Sequence, residues 1–158
     1  IEKKAVLLGL LLAACAAKPA EGAGVPAAAE AVHPVSGLQV VDLSITSGAK
    51  VHRFHVEVAA TSAQQMQGLM FRTAMGADEG MIFPMDSPRG AAFWMKNTVI
   101  PLDIIFVGAD GRITNIAANA VPYSLDALES SAIVKGVLEL NGGRAAQLGI
   151  GPGDRVDW

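Results

Sequence analysis

Residues 93–106, from Phe93 to Phe106, read FWMKNTVIPLDIIF. Two aromatic residues, a lysine, an amide and an acid stand here in a run that otherwise has the composition of a buried strand. A polar side chain in such surroundings costs free energy unless it is paired or used. Lys96 and Asp103 flank Pro101, which cannot donate to a sheet ladder and marks a break or an edge. The segment is therefore either a latch between Lys96 and Asp103 or the floor of a binding site.

The rest of the chain from residue 38 onward predicts short strands joined by turns. Glycine, asparagine and serine clusters separate runs that are rich in β-branched residues. The predicted strands are 38–46, 51–59, 80–85, 91–98, 102–107, 112–118, 132–140 and a last one ending at residue 158, with a turn at 86–90. We expect a mainly β fold, a compact β-sandwich or partly open barrel of about seven or eight short strands with two short helices.

The two helices are predicted from their boundary signals. Thr61 with Gln64 three residues later has the spacing of a capping box, and this helix extends through residue 70. Its core face carries Met66, Leu69 and Met70, which follow the i, i+3, i+4 spacing. The second helix is predicted to begin at Asn141 and to run to about residue 148, where a glycine fits the left-handed stop.

The first 15 residues have the layout of a secretory signal. Lys3 and Lys4 precede ten apolar residues, and Leu12-Ala13-Ala14-Cys15 resembles a bacterial lipobox. In such a motif the cysteine thiol takes a diacylglycerol and becomes the mature N-terminus, and its acyl chains anchor the protein to a membrane. We therefore expect a lipid-anchored, periplasm-facing protein of the bacterial cell envelope. Ala16 resembles a sorting signal for the outer membrane.

The composition of the remaining chain predicts a tether followed by one domain, and it argues against a nucleic-acid partner. Residues 16–37 are dominated by alanine, proline and glycine and predict a disordered tether, which leaves residues 38–158 as a single β domain. The chain has 158 residues, a net charge of −3 and no long basic run, so we expect no nucleic-acid partner. A single cysteine excludes an internal disulfide. No run of 18 apolar residues is present, so no lasting transmembrane helix is expected.

Polar residues along the predicted strands define a candidate ligand site. Its members are Arg72, Trp94, Lys96, Asn97, Asp103 and Glu139. In a pocket for a small polar or anionic ligand, the arginine, the lysine and the amide would be donors, and the two acids would orient them. The alternative interpretation is the purely structural latch between Lys96 and Asp103.

Metal chemistry is considered because all six methionines lie between Met66 and Met95. Thioethers are soft ligands that suit Cu(I). Methionine also fills gaps in apolar cores, which is the simpler interpretation. His52 and His55 are three residues apart on a predicted strand and therefore point to opposite faces. We predict no metal site at the histidines and no cofactor.

Several ordered motifs resemble a known family. They are Gly68-Leu69-Met70-Phe71-Arg72, Gly80-Met81-Ile82-Phe83, Phe93-Trp94-Met95-Lys96-Asn97-Thr98, Ile100-Pro101-Leu102-Asp103, Val137-Leu138-Glu139, Gly149-Ile150 and Gly153-Asp154. This set, across about residues 38–158, resembles the domain of unknown function 192 family. The resemblance implies a mainly β, compact fold and members with secretory signals, and it implies no particular activity.

Three functions follow as hypotheses. The first is a non-enzymatic envelope module that binds a small polar ligand, a glycan or an envelope protein. The second is a hydrolase or lyase that uses Lys96, Asp103 and Glu139 in one cleft. The third is Cu(I) handling by the methionines.

Overall fold

The structure is a computed structural model that describes residues 31–158. The predicted signal segment, Cys15 and most of the predicted tether lie outside the described residues. Within the described range the chain forms nine strands and two short helices, which confirms the mainly β prediction. The elements are β1 Val40–Ser47, β2 Lys50–Val58, α1 Ser62–Gln67, β3 Glu79–Arg89, β4 Ala92–Phe93, β5 Leu102–Gly108, β6 Ile113–Ala120, β7 Leu128–Glu129, β8 Val134–Asn141, α2 Arg144–Leu148 and β9 Arg155–Asp157.

Seven of the strands form one sheet in the order β6-β5-β8-β3-β2-β1-β9. All neighbours are antiparallel except β2 and β3, which run parallel. The sheet curls so that its two edge strands approach each other. An isolated bridge between Arg112, just before β6, and Arg155 of β9 joins these two edges. The barrel is not closed. A second sheet contains only β4 and β7.

Side chains alternate along the strands and build two apolar cores, one on each face of the large sheet. On the first face, Leu43, Phe54, Ile82, Ile105 and Leu138 pack with Ala145 of α2 and with Val156 of β9. The second face carries Met81, Phe83, Ile104, Phe106 and Val137 and is covered by Leu69 and Met95. The large sheet is therefore covered by apolar side chains on both of its faces.

The hairpins and the first capping box lie where the sequence places them. β1 pairs with β2 around the turn at residues 48–49, and β5 pairs with β6. The backbone N–H of Gln64 donates to the Thr61 hydroxyl at 3.2 Å, and the Thr61 N–H donates to the Gln64 side chain at 2.9 Å. These reciprocal bonds satisfy two N–H groups that have no partner within the helix.

Three element boundaries differ from the predictions. The strand predicted for 91–98 is only the two residues of β4, because its one partner, β7, is equally short. β3 continues through the predicted turn to Arg89, which pairs with Val134 beyond an irregularity in the register. Asn141 ends β8, and its amide donates to the carbonyls of Met75 and Gly76. α2 therefore begins after Gly143.

The predicted core face of the first helix is also partly wrong. α1 ends at Gln67, because Gly68 follows with a positive φ of 47°. Met66 is 76 % exposed, whereas Leu69 is buried. The chain has already left the helix at Leu69, so the helical spacing that joined these residues does not apply.

The end of the predicted tether, residues 31–37, forms a hydrogen-bonded turn. The N–H of His33 donates to the carbonyl of Leu38, and the N–H of Gly37 donates to the carbonyl of His33. The Ser36 hydroxyl donates to the carboxylate of Glu57 in β2. The domain therefore includes residues that alanine, proline and glycine content assigned to the tether.

Candidate functional site

A cavity of about 850 Å³ lies on the second face of the large sheet. α1 and the residues after it form one side, the C-terminal half of β3 forms another, and the loop that follows β4 forms a third. The chemically distinctive residues that line it are Phe83, Met85, Arg89, Phe93, Trp94, Lys96, Asn97, Thr98 and Glu139. Its volume falls in the range of small-molecule sites.

Glu139 lies at the buried end of this cavity. Its position on β8, opposite Met81 and Ile104, directs the side chain toward the second face of the sheet. The residue is only 5 % exposed, and its carboxyl group accepts no hydrogen bond from residues 31–158. Burial raises the pKa of Glu139 to about 8. The side chain is therefore mainly a neutral acid at pH 7, with one donor and acceptor capacity available to a ligand.

Three aromatic residues, Phe83, Phe93 and Trp94, contribute to the cavity walls. The rings of Phe83 and Phe93 meet edge to face, with centroids 5.1 Å apart at an interplanar angle of 86°. Phe93 makes a second edge contact with Phe106 in the core, at 6.4 Å. Edge-to-face pairs stabilise a fixed geometry, so these two lining rings are held in place by the core behind them.

The loop at residues 94–98 is fixed on both sides by backbone hydrogen bonds. The N–H of Met95 donates to the carbonyl of Ser124 at 2.9 Å, and Met95 itself is buried. On the other side, the N–H of Phe71 donates to the carbonyl of Asn97 at 2.8 Å. Phe71 and Asn97 both have left-handed backbone conformations, with φ of 62° and 53°. Non-glycine residues in that conformation cluster at functional sites.

Two cations lie at the exposed part of the cavity. Lys96 and Arg89 are both exposed, and the Lys96 ammonium lies 5.0 Å from the centroid of the Trp94 ring. Neither cation forms an ion pair within residues 31–158. The lining thus carries two unpaired positive charges and one buried acid, Glu139.

Asp103 lies away from the cavity and has a structural role. One carboxylate oxygen accepts hydrogen bonds from the N–H groups of Asn119 and Gly143, at 2.8 and 2.9 Å. The other oxygen accepts from the N–H of Ala145 at 2.9 Å. Asp103 therefore fixes the start of α2 against β6. The predicted latch between Lys96 and Asp103 is wrong, because backbone amides satisfy the acid and Lys96 lies over Trp94.

Arg72 is likewise outside the cavity that contains Glu139. Its guanidinium donates to both carboxylate oxygens of Glu57, at 2.8 and 3.0 Å. Glu57 is 2 % exposed and also accepts from Ser36. The predicted site is thus divided: Trp94, Lys96, Asn97 and Glu139 line one cavity, while Arg72 and Asp103 hold the fold together. Whether the four lining residues bind a ligand stays a prediction.

The enzyme hypothesis requires Lys96, Asp103 and Glu139 in one cleft, and the structure does not form that cleft. Asp103 faces Leu140 across the β5–β8 ladder, whereas Glu139 faces Ile104. Successive residues point to opposite faces, so the two acids are on opposite sides of the sheet. They cannot act on one substrate.

The methionines are distributed between core and cavity. Met81 and Met95 are fully buried in the second core, as gap-filling residues are. Met66, Met70 and Met85 line the cavity. Cu(I) binding by these three thioethers stays a prediction. Among residues 31–158, no group of three or more histidine, cysteine or acidic side chains is placed to hold a metal ion. Nor does any helix in that range have the length and apolar character needed to cross a bilayer.

Two charged residues outside the predicted site have defined places in the structure. Arg89 lies in the cavity lining, but the sequence predicts a turn there, because Pro88 and Gly90 on either side of it are typical of turns. Glu57 is the buried partner of Arg72 and lies between Val56 and Val58 at the apolar end of β2. A charged residue between two valines is the local signal for such a buried, paired acid.

Comparisons with known proteins agree with the fold. The model of family DUF192, described as "Uncharacterized ACR, COG1430", matches residues 43–158. The chain is similar to a protein of unknown function from Novosphingobium aromaticivorans DSM 12444, with 60 % identity and a TM-score of 0.80 over 84 % of this chain and 94 % of that one. It is also similar to a protein from Sinorhizobium meliloti 1021 suggested to be a transcription regulator, with 41 % identity and a TM-score of 0.71 over 73 % and 91 %. A search of curated proteins returned no match.

Proposed function

The chain belongs to the DUF192 family, as its motifs predict, and we propose that its domain is a non-enzymatic binding module for a small organic ligand. The ligand occupies the cavity on the second face of the sheet and hydrogen-bonds Glu139. The observation that carries this proposal is Glu139, a residue only 5 % exposed that lines the cavity and whose pKa is raised by burial to about 8.

The chemical argument concerns the hydrogen bonds that Glu139 can offer to a ligand. Burial keeps its carboxyl group mainly protonated at pH 7, so this group presents one donor and acceptor capacity at the cavity surface. A ligand with a matching acceptor and donor forms these hydrogen bonds beside the apolar core, where the local dielectric is low and they are stronger than in water.

Binding is favoured over catalysis by the composition of the lining. Glu139 is the one acid among the cavity residues within 31–158, and no histidine or cysteine accompanies it. Lys96 is the other titratable side chain in the lining besides Arg89, and it is exposed over Trp94, whereas Glu139 is buried, so the lining shows no adjacent acid–base pair. The two cations in the lining suit recognition of a ligand.

A small ligand is favoured over a glycan by the state of Trp94. Glycan sites commonly present an open aromatic face, and Trp94 is 49 % exposed at the cavity. Lys96 lies over that ring at 5.0 Å, so one face is already covered by a cation. A cavity of about 850 Å³ with a single acid in its lining matches a compact molecule.

Nuclear magnetic resonance with the full, ¹⁵N-labelled chain tests the proposal. Small neutral and charged organic fragments are added, and amide shifts are followed. We expect shifts at Gly68, Trp94 and Glu139, and at least a tenfold loss of affinity in Glu139→Gln. The matched control is Glu129→Gln, an exposed glutamate on β7. Fragments that never shift cavity residues, or that bind Glu139→Gln as well as the wild type, would contradict the proposal.

We also propose that this module is attached to the bacterial envelope through a lipid on Cys15, faces the periplasm and is sorted to the outer membrane by Ala16. The support is the Leu12-Ala13-Ala14-Cys15 motif behind a short apolar segment. Mass spectrometry of the mature protein should find Cys15 as a lipidated N-terminus, and Cys15→Ser should release the protein from membranes. A mature protein with another, unmodified N-terminus would refute the anchor.

A further inference from the structure

We infer that the ligand is an amphipathic organic anion, with its charged group at Lys96 and Arg89, its apolar body against the cavity walls, and a polar atom that hydrogen-bonds Glu139. This inference rests on the proposed function and adds the chemical class of the ligand to it. Three observations carry it: the charges of the lining, the character of the walls and the position of the acid.

The charges of the lining favour an anion. Lys96 and Arg89 are exposed and form no ion pair within residues 31–158, so both positive charges are available at the cavity. The acid that could balance them, Glu139, is buried and mainly protonated at pH 7. The cavity is therefore positive at neutral pH although the whole chain has a net charge of −3. A cationic ligand would have to approach both free cations.

The walls favour an apolar body. Besides the exposed cations and Glu139, the lining includes Phe83, Phe93 and the half-buried Met85. Aromatic rings and thioethers make favourable contacts with flat or flexible apolar groups. A small, fully hydrated anion such as inorganic phosphate would leave these walls without a partner. An amphipathic anion satisfies both the charged and the apolar parts of the cavity.

Two fluorescent probes that differ in one charged group test this class. 8-Anilinonaphthalene-1-sulfonate carries a sulfonate, and N-phenyl-1-naphthylamine has the same ring skeleton without it. Each is titrated into the full chain at pH 6.5 and at two salt concentrations. The variants are Lys96→Gln/Arg89→Gln and Glu139→Gln. The matched control is Lys135→Gln/Arg53→Gln, which removes a second lysine over a tryptophan, at 4.6 Å from Trp158, and an exposed arginine outside the cavity.

We expect the Lys96→Gln/Arg89→Gln variant to bind the sulfonate at least tenfold more weakly and the neutral probe within twofold of wild type. The control variant should bind both probes with wild-type affinity. Added salt should weaken the binding of the sulfonate probe and leave the binding of the neutral probe unchanged. If the neutral probe depends on Glu139 but the sulfonate does not depend on the two cations, the anion class is wrong and the binding function stands. If neither probe depends on Glu139, both the class and the proposed function fail.

Discussion

Asp103 and Glu139 lie on neighbouring strands of one sheet but project from opposite faces. Across the β5–β8 ladder, Asp103 is paired with Leu140 and Glu139 with Ile104. Asp103 accepts three backbone hydrogen bonds, whereas Glu139 accepts none within residues 31–158. Two buried acids one residue apart in register thus have separate roles: one holds the fold, and the other is available to a ligand.

The structural role of Asp103 predicts a loss of stability on Asp103→Asn. Asparagine keeps one acceptor oxygen but turns an N–H₂ group toward a backbone donor, so at least one of three hydrogen bonds is lost. We expect the free energy of unfolding to fall by about 2–3 kcal/mol. Urea denaturation measures it. Asp110→Asn is the control, because that acid accepts from Arg112 in an exposed turn, and its cost should stay below about 1 kcal/mol. Equal losses in both variants would argue against the role given to Asp103.

The raised pKa of Glu139 predicts a specific pH dependence of stability. Between 4.5, the ordinary value, and about 8, the unfolded chain has lost this proton while the folded chain keeps it. The folded state then binds more protons, so the free energy of unfolding falls as pH rises through this window and levels off above it. The slope from this one group is at most about 1.4 kcal/mol per pH unit.

Other groups titrate in the same range, so the measurement is the difference between wild type and Glu139→Gln, by urea denaturation from pH 4 to pH 9. We expect the variant to lose the slope between 4.5 and 8, and Glu129→Gln to keep it. A variant with the wild-type slope would show that Glu139 is ionised in the folded protein at neutral pH.

The Arg72–Glu57 pair predicts a large cost for Arg72→Ala. Glu57 is 2 % exposed, so removal of its bidentate partner leaves a buried carboxylate with only the Ser36 hydroxyl and the His33 ring, 3.7 Å away, beside it. We expect a loss of about 3–5 kcal/mol in the free energy of unfolding, and a smaller loss when Glu57→Gln and Arg72→Met are combined. Thermal and urea unfolding measure both.

The surface pair of Arg155 and Asp157 serves as the comparison for this effect. Its side chains are about half exposed, so Arg155→Ala should cost no more than about 1 kcal/mol. Similar costs for Arg72→Ala and Arg155→Ala would mean that the Glu57 carboxylate is solvated in the folded protein.

The left-handed backbone conformation of Asn97 predicts different effects on stability for two substitutions of its side chain. At φ 53°, a β-branched residue is strained by about 1–2 kcal/mol, whereas glycine adopts the conformation freely. Asn97→Val should therefore lower the melting temperature, and Asn97→Gly should leave it within about 2 °C of wild type, since a change of 1 kcal/mol shifts a domain of this size by several degrees. Equal melting temperatures for Asn97→Val and Asn97→Gly would show that the folded protein does not require a left-handed backbone at residue 97.

The sequence predicts the elements that depend on local signals. The hairpins β1–β2 and β5–β6 follow from alternation and turn residues, and the Thr61 capping box follows from spacing. The prediction of a strand over 91–98 is wrong for most of that range, because a strand requires a partner to pair with. The partner here, β7, has only two residues. Such a pairing is a long-range property that composition does not contain.

The residues of the candidate site are also predicted only in part from the sequence. Polar residues inside an apolar run identify Lys96, Asn97, Asp103 and Glu139, but only the register assigns Asp103 and Glu139 to different faces. A one-residue difference in register moves a side chain to the other side of a sheet. The sequence therefore indicates which polar residues lie in apolar segments, whereas the structure shows that Asp103 and Glu139 are buried and Lys96 is exposed.

Crystallography of the full chain with soaked organic fragments tests the central claim most directly, since it locates the ligand relative to Glu139. We expect fragments to collect in the cavity with an oxygen or nitrogen atom about 2.6–3.2 Å from a Glu139 carboxyl oxygen. Anionic fragments should place their charged group beside Lys96 or Arg89. Fragments that occupy only other surfaces, while the Glu139 cavity holds ordered water alone, would contradict the account.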